Sequence, residues 1–164
     1  MSPLVADLST SVRRALYGKM AGDTTLNNML STQRPQGRSK SIYYGHAPDG
    51  AGFPYVIFNK QSGTPVYTFK TGPAVGDGHA IADNELWLIK GVTHVADGFP
   101  DSLDSADNIA SRLDALLTDA SLSMVATVAQ LYLRRETDVA FPEEEDGETY
   151  FHHGALYRLM YSAT

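Results

Sequence analysis

The chain contains no cysteine. That absence excludes a disulfide framework, a thiolate metal site and a cysteine nucleophile, and it fits folding in a reducing compartment. No apolar run approaches the roughly 18 residues that a membrane-spanning helix needs, and no membrane partner is expected. The opening stretch Met1-Ser2-Pro3-Leu4-Val5-Ala6-Asp7 lacks the basic start and apolar block of a signal peptide. Positive charge is in the minority: 13 Lys and Arg face 19 Asp and Glu, for a formal net charge of −6. Such a chain has no general attraction for DNA, which carries about one negative charge per 1.7 Å of helix axis. A sequence-specific DNA reader is therefore disfavoured. A wall that DNA slides past remains compatible, since repulsion prevents sticking. There is no internal repeat and no low-complexity tract.

What is present reads as one domain, residues 1–164. A chain of this size buries roughly 70% of its unfolded surface and needs no covalent staple. Ser2 and Pro3 can open a helix, and Leu4, Val5, Leu8, Val12, Ala15 and Leu16 recur at helical spacing until Gly18 and Gly22. Asp23 can cap a short second helix with Leu26, Met29 and Leu30 on its apolar side. A polar connection with Pro35 and Gly37 leads to the short strand Ile42-Tyr43-Tyr44. Pro54 then opens a strand through Lys60, and a turn at Ser62-Gly63-Thr64-Pro65 precedes a partner strand, residues 66–69. Residues 71–83, rich in glycine and alanine, read as a long exposed loop.

Residues 85–95 form a strand around Trp87, apolar on both faces. An amphipathic helix follows over 102–117, capped by Asp101 or Ser102. Its stripe is Leu103, Ala106, Ile109, Ala110, Leu113, Leu116 and Leu117. Two strands, 127–137 and 149–161, are joined by an acidic loop over 142–148 and read as an antiparallel hairpin. The predicted order is α-α-β-β-β-β-α-β-β. The predicted fold class is α+β, a mostly antiparallel, possibly mixed sheet with helices packed on one face.

Chemistry is hard to find in this pattern. Of the five histidines, His46, His79 and His94 are scattered. His152 and His153 are adjacent on a strand and so face opposite sides. No ligand spacing supports a metal. Asp101, Asp104 and Asp107 read as carboxylates favouring the positive end of a helix dipole rather than as a calcium loop. Neither a phosphate-binding glycine motif nor a serine-hydrolase elbow occurs. No catalytic residue, cofactor or metal is expected.

Interface chemistry is better represented. Tyr43, Tyr44, Tyr55, Tyr67, Tyr132, Tyr150, Tyr157 and Tyr161 lie in or beside predicted strands. They read as core or half-buried residues, of a type that interfaces also favour. Candidate contacts with neighbouring copies are Tyr67, Lys70, His79, Arg134, Arg135, Glu143, Glu144, Glu145, Asp146 and Arg158. The arginines have an equally good reading as a solvated edge that discourages aggregation.

The layout resembles the tail-terminator, or tail-completion, proteins of long-tailed bacteriophages and gene transfer agents. The resemblance rests on two leading helices, a short strand with Ala47-Pro48, Pro54-Tyr55-Val56 opening a strand, the Trp87 strand, the Ala106-to-Leu113 helix with its Ile109-Ala110 pair, and a final strand pair. It covers nearly the whole chain through order and spacing. It implies a structural virion protein without enzymatic activity that forms a ring, commonly a homohexamer. Such a ring ends the tail tube, meets the major tail tube protein and the head-tail connector or stopper protein, and lets DNA pass without specific binding. It implies assembly in the host cytoplasm and a place at the neck of the virion. The alternatives are a head-completion or stopper protein of the neck, or a small ligand-binding or hydrolytic α+β enzyme using His152 and an acid.

Overall fold

A computed structural model describes residues 4–66, 82–95, 101–125 and 128–163. Helix α1 spans Leu4–Ala21 and α2 spans Thr24–Met29. Val12, Ala15, Leu16 and Met20 of α1 are buried, a stripe at three- and four-residue spacing. Asp23 caps α2, its Oδ1 accepting from the Leu26 N–H at 2.6 Å. The Asn27 side-chain amide donates to the Ala21 carbonyl at 3.0 Å and the Asp23 carbonyl at 2.6 Å. Carbonyls left over at the end of α1 are thus satisfied from α2.

Strands β1 (Ile42–Tyr44), β2 (Tyr55–Val66) and β3 (Ala82–His94) follow, then helix α3 (Asp101–Leu117) and strands β4 (Val128–Glu145) and β5 (Glu148–Ala163). They form one five-stranded sheet in the order β1-β2-β3-β5-β4. β1 runs parallel to β2, and every other pairing is antiparallel. The sheet is mixed, and the class is α+β, as the pattern of elements predicts.

Alternation along the strands assigns the two faces. Val56 and Phe58 of β2, Trp87 and Ile89 of β3, and Ala155, Tyr157, Leu159 and Tyr161 of β5 are buried. They share one core with Val12, Leu16 and Met20 of α1, Leu26 of α2, and Ile109, Leu113 and Leu117 of α3. The opposite face carries Tyr43, Tyr55, Val92, Tyr150 and His152.

The structure departs from the sequence reading at four places. The expected turn at 62–65 is absent, because β2 runs unbroken to Val66 with a register shift between Lys60 and Ser62. β1 pairs only with Val56, Ile57 and Phe58, so beyond that point β2 is an edge strand among the described residues. An edge tolerates Gly63 and Pro65, since a missing N–H on that side breaks no ladder. The described residues accordingly hold five strands rather than six. The predicted loop 71–83 ends earlier, because Ala82 and Asp83 already pair in β3; its remainder, with Tyr67, Lys70 and His79, lies outside the described residues. The acidic segment 142–148 is not a loop. β4 continues to Glu145 and β5 begins at Glu148, leaving Asp146 and Gly147, at φ 52° and 81°, as a two-residue turn. Finally, Asp101 is already inside α3, so the cap position of that helix lies outside the described residues.

The bidentate pair between Arg112 of α3 and Asp23, at 3.0 and 2.5 Å, ties the two leading helices to α3. It holds the Asp23 carboxyl below its ordinary pKa. The sheet itself is closest where glycines meet. A β-carbon on Gly91 would lie 2.6 Å from Ile109 Cγ2, and one on Gly154 would lie 2.1 Å from the Ile89 carbonyl oxygen and 2.5 Å from Lys90 Cα. The neighbours of Gly154 are backbone and cannot turn aside. Gly154→Ala is expected to destabilise the fold by about 3 kcal/mol, read as a lower urea midpoint with an unchanged slope.

Candidate assembly surface

Unpaired backbone along a sheet edge is material for pairing with another chain. β4 is an edge strand of 18 residues. Its start is covered: the Asp119 N–H donates to the Leu133 carbonyl at 2.8 Å, and the Gln130 side chain binds the Ala120 carbonyl and the Leu122 N–H. From Arg134 onward nothing among the described residues pairs with the outer side of β4, and nearly all of its side chains are exposed. On the far side of the sheet, no described residue pairs with β2 beyond Phe58 in place of β1, and residues 61–65 are exposed. Among the described residues the sheet therefore offers two open edges on opposite sides.

The far end of β2 is locked by a buried acid. Glu85 accepts from Lys60 Nζ, from Trp87 Nε1 at 2.9 Å and from the Tyr161 hydroxyl at 2.9 Å. Burial and that carboxylate push the Tyr161 hydroxyl well above its usual pKa. One buried carboxylate thus joins β2, β3 and β5. Its lone pairs are taken by donors of the fold, so its role in this arrangement is structural.

The nominated residues cluster on the β4–β5 hairpin. Arg134 reaches Asp119 at 3.2 Å and lies 5.8 Å from the Tyr132 ring centre. Arg135 approaches Asp114 of α3 at 3.5 Å and also contacts Asp138. Arg158 grips Glu136, with Nη2 to Oε1 at 2.8 Å, and donates to Asn84 Oδ1 at 3.1 Å. All three arginines hold the hairpin to its own chain. Glu143, Glu144, Glu145 and Asp146 converge at the exposed tip. Tyr67, Lys70 and His79 lie outside the described residues.

Histidines brace the same hairpin. His94 Nε2 sits 2.7 Å from Glu148 Oε2, and His153 Nδ1 sits 2.5 Å from Asp107 Oδ1 on α3. His152, on the other face as the alternation requires, stacks on Phe141 with ring centres 4.7 Å apart. Its Nε2 lies 2.7 Å from Glu143 Oε2 but out of line for a hydrogen bond, and Nδ1 has no hydrogen-bond partner among the described residues. Burial, reinforced by Lys90, pushes the His152 pKa down, against an opposing pull from Glu143. Lys90 is also depressed by burial and lies 4.9 Å from the Phe141 ring centre. Beside this group Phe53, Tyr55, His94 and Tyr150 pack ring against ring, 4.8 to 5.4 Å apart. Burial pushes the Tyr55 hydroxyl up to about 12. Among the described residues, no group of three or more His, Asp and Glu side chains could hold a metal ion.

A feature the sequence reading missed lies at the β1 end of the sheet. Arg13, Arg14 and Tyr17 of α1 meet Arg38, Ile42, Tyr44 and Phe58 around a groove of about 210 Å³. The one signal for it in the sequence was the Arg13-Arg14 pair. Arg38 lies in what reads as a mere connection, so only folding reveals the cluster.

His152 gives a pH prediction. The fold favours its neutral form, so the unfolded chain takes up a proton first as pH falls below 6.5. Stability should therefore be full above pH 6.5 and decline below it, levelling off under the depressed folded pKa. His152→Phe keeps a ring against Phe141 and should flatten that decline. Thermal melts from about pH 7.5 to 4.5 check it, with the other histidine pairs left intact in both proteins.

Comparison with known proteins places the fold. No family model matches the chain, and no curated protein matches it. Among solved structures, it is similar to a chain described as "Virion of native gene transfer agent (GTA) particle", with a TM-score of 0.68 at 18% identity over 95% of this chain and 98% of that one. A second solved chain is similar over 95% of both chains, with a TM-score of 0.51 at 16% identity. At these identities the likeness is one of fold, and it extends over almost the full length of each partner.

Proposed function

We propose that this chain is a structural virion protein of a phage-like particle. In this reading copies of it form a ring that terminates the tail tube and joins it to the head connector. The observation that carries the reading is the near-full-length fold likeness to a chain of a gene transfer agent virion, reached independently of the tail-terminator resemblance in the sequence. The two open edges support it. A closed ring needs a heterologous contact in which one side of each subunit meets a different side of the next. A β4 edge and a β2 edge that no described residue covers, on opposite sides of one sheet, have that form.

In this proposal residues 1–164 act as one tail-terminator-like domain. The ring is a homohexamer at the head-proximal end of the tail, assembled in the host cytoplasm. Its axial faces meet the tail tube protein and the connector or stopper. The contact residues are Arg134, Arg135, Arg158 and the Glu143–Asp146 tip, together with Tyr67, Lys70 and His79. Each specific contact buries about 800 Å² per partner. The acidic subunit lets DNA through the lumen without gripping it. No bond is made or broken: a carboxylate filled by donors and histidines held by acids serve packing here.

Removing the gene should leave filled heads unjoined to tails, and tubes of uncontrolled length in micrographs of the lysate. Tails of normal length that still fail to join heads would move the protein to the stopper position. Unchanged particle yield would reject the reading.

A further inference from the structure

The groove between α1 and β1 has the chemistry of a carboxylate receptor. Its floor is Ile42 and Phe58, both buried. Tyr17 packs on Phe58 with centroids 6.5 Å apart, and Tyr44 meets Phe58 edge-on at 5.5 Å. Tyr44 is 47% exposed, unusual for a large ring in this fold. Arg13, Arg14 and Arg38 form the rim, with the Arg13 guanidinium 4.9 Å from the Tyr44 ring centre. Among the described residues none of these three arginines is in an ion pair, whereas Arg112, Arg134, Arg135 and Arg158 all are. In a chain of net charge −6, three uncompensated guanidinium groups around an aromatic floor are a local positive site. Arginine favours planar acids, which it holds bidentately.

The chain itself supplies a matching occupant. The β4–β5 hairpin carries Glu143, Glu144, Glu145, Asp146 and Glu148 on a two-residue turn. Histidines engage Glu143 and Glu148. Glu144, Glu145 and Asp146 are exposed and in no ion pair among the described residues. A chain cannot fill its own groove. Tip and groove are separated by about 19 Å across the four inter-strand spacings from β1 to β4, and further along the strands, because Tyr44 lies in the row of Ala155 and Asp138 while the turn comes after Glu145.

We infer that the acidic hairpin tip of one copy docks in the Arg13–Arg14–Arg38 groove of the next. This rests on the ring reading and specifies its contact. The interaction is directional, tip to groove, so repeating it carries each subunit onward in the same sense, as ring closure demands. Fixing the charged tip against aromatic rings also sets register between two open edges, which backbone pairing alone leaves free to slide.

The absence of cysteine allows a clean test. Full-length protein carrying Arg38→Cys and Glu144→Cys is treated with a short bismaleimide, both at high concentration and within purified particles. A ladder of multimers up to a closed ring is expected, with dimers at most when equal amounts of the two single variants are mixed. In parallel, Glu144→Lys with Glu145→Lys should raise the concentration needed for ring formation about tenfold or more. Arg14→Glu with Arg38→Glu should do the same, whereas an equimolar mixture of the two reversed proteins should regain rings in which they alternate, each tip then meeting a groove of opposite charge. Combining all four changes in one chain should bring assembly back to within about threefold of the parent. Rings that form without the ladder and ignore both reversals overturn the docking and leave the ring reading standing. A chain that stays monomeric throughout, particles included, overturns both. Protection of Arg38→Cys by duplex DNA, without any ladder, would make the groove a nucleic-acid site and equally overturn the docking.

Discussion

Ile109 lies so close to the backbone of Gly91 that a β-carbon there would come within 2.6 Å of its methyl group, and the core is organised around this approach. α3 settles onto β3 and β5 at a depth that side chains elsewhere on those strands would prevent. That depth lets Ile109, Leu113 and Leu117 reach the same interior as Trp87, Tyr157 and Leu159. Gly154 sits opposite Lys90, beside the Gly91–His153 pair in the register, so the two strands come closest where the helix presses. Close packing of this kind makes a rigid body, because a core at crystal-like density has little freedom to shift. A rigid body suits the ring subunit proposed above, since a closed ring repeats one contact geometry in every copy.

Charge is distributed with the same economy. Most arginines and histidines of the hairpin are engaged by acids of the same chain: Arg135 by Asp114 and Asp138, Arg158 by Glu136, His153 by Asp107. These pairs are partly exposed and individually weak. Together they hold an otherwise unsupported edge strand in one orientation, and charged side chains on that edge discourage indiscriminate pairing. Among the described residues, Glu144, Glu145 and Asp146 of the tip and the guanidinium groups of the α1–β1 groove are in no such pair.

Much of this was legible in the sequence where a local signal was strong. The 3.6-residue stripe of Ala106, Ile109, Leu113 and Leu117 marked α3, and Asp23 marked the start of α2. The three apolar residues of β1 were placed at their observed bounds. The misplaced features share a cause. Gly63 and Pro65 are turn residues by propensity, and Glu143, Glu144 and Glu145 are loop residues by charge, yet all five lie in strands. Propensity assumes a strand flanked on both sides. On an edge, one side demands nothing, and the partner on the other side supplies the order.

The sequence by itself determined the class of the fold, the places of its helices α1, α2 and α3, the alternation that separates His152 from His153, and a net charge that repels DNA. These follow from the period of a helix, the period of a strand and simple addition, each of which is local. Only the tertiary structure decided which edges stay open, that the acids continue a strand to a two-residue turn, and that Arg13, Arg14 and Arg38 meet around Tyr44. Those facts depend on which distant segments lie side by side, and no period in the chain encodes where a strand runs out of neighbours.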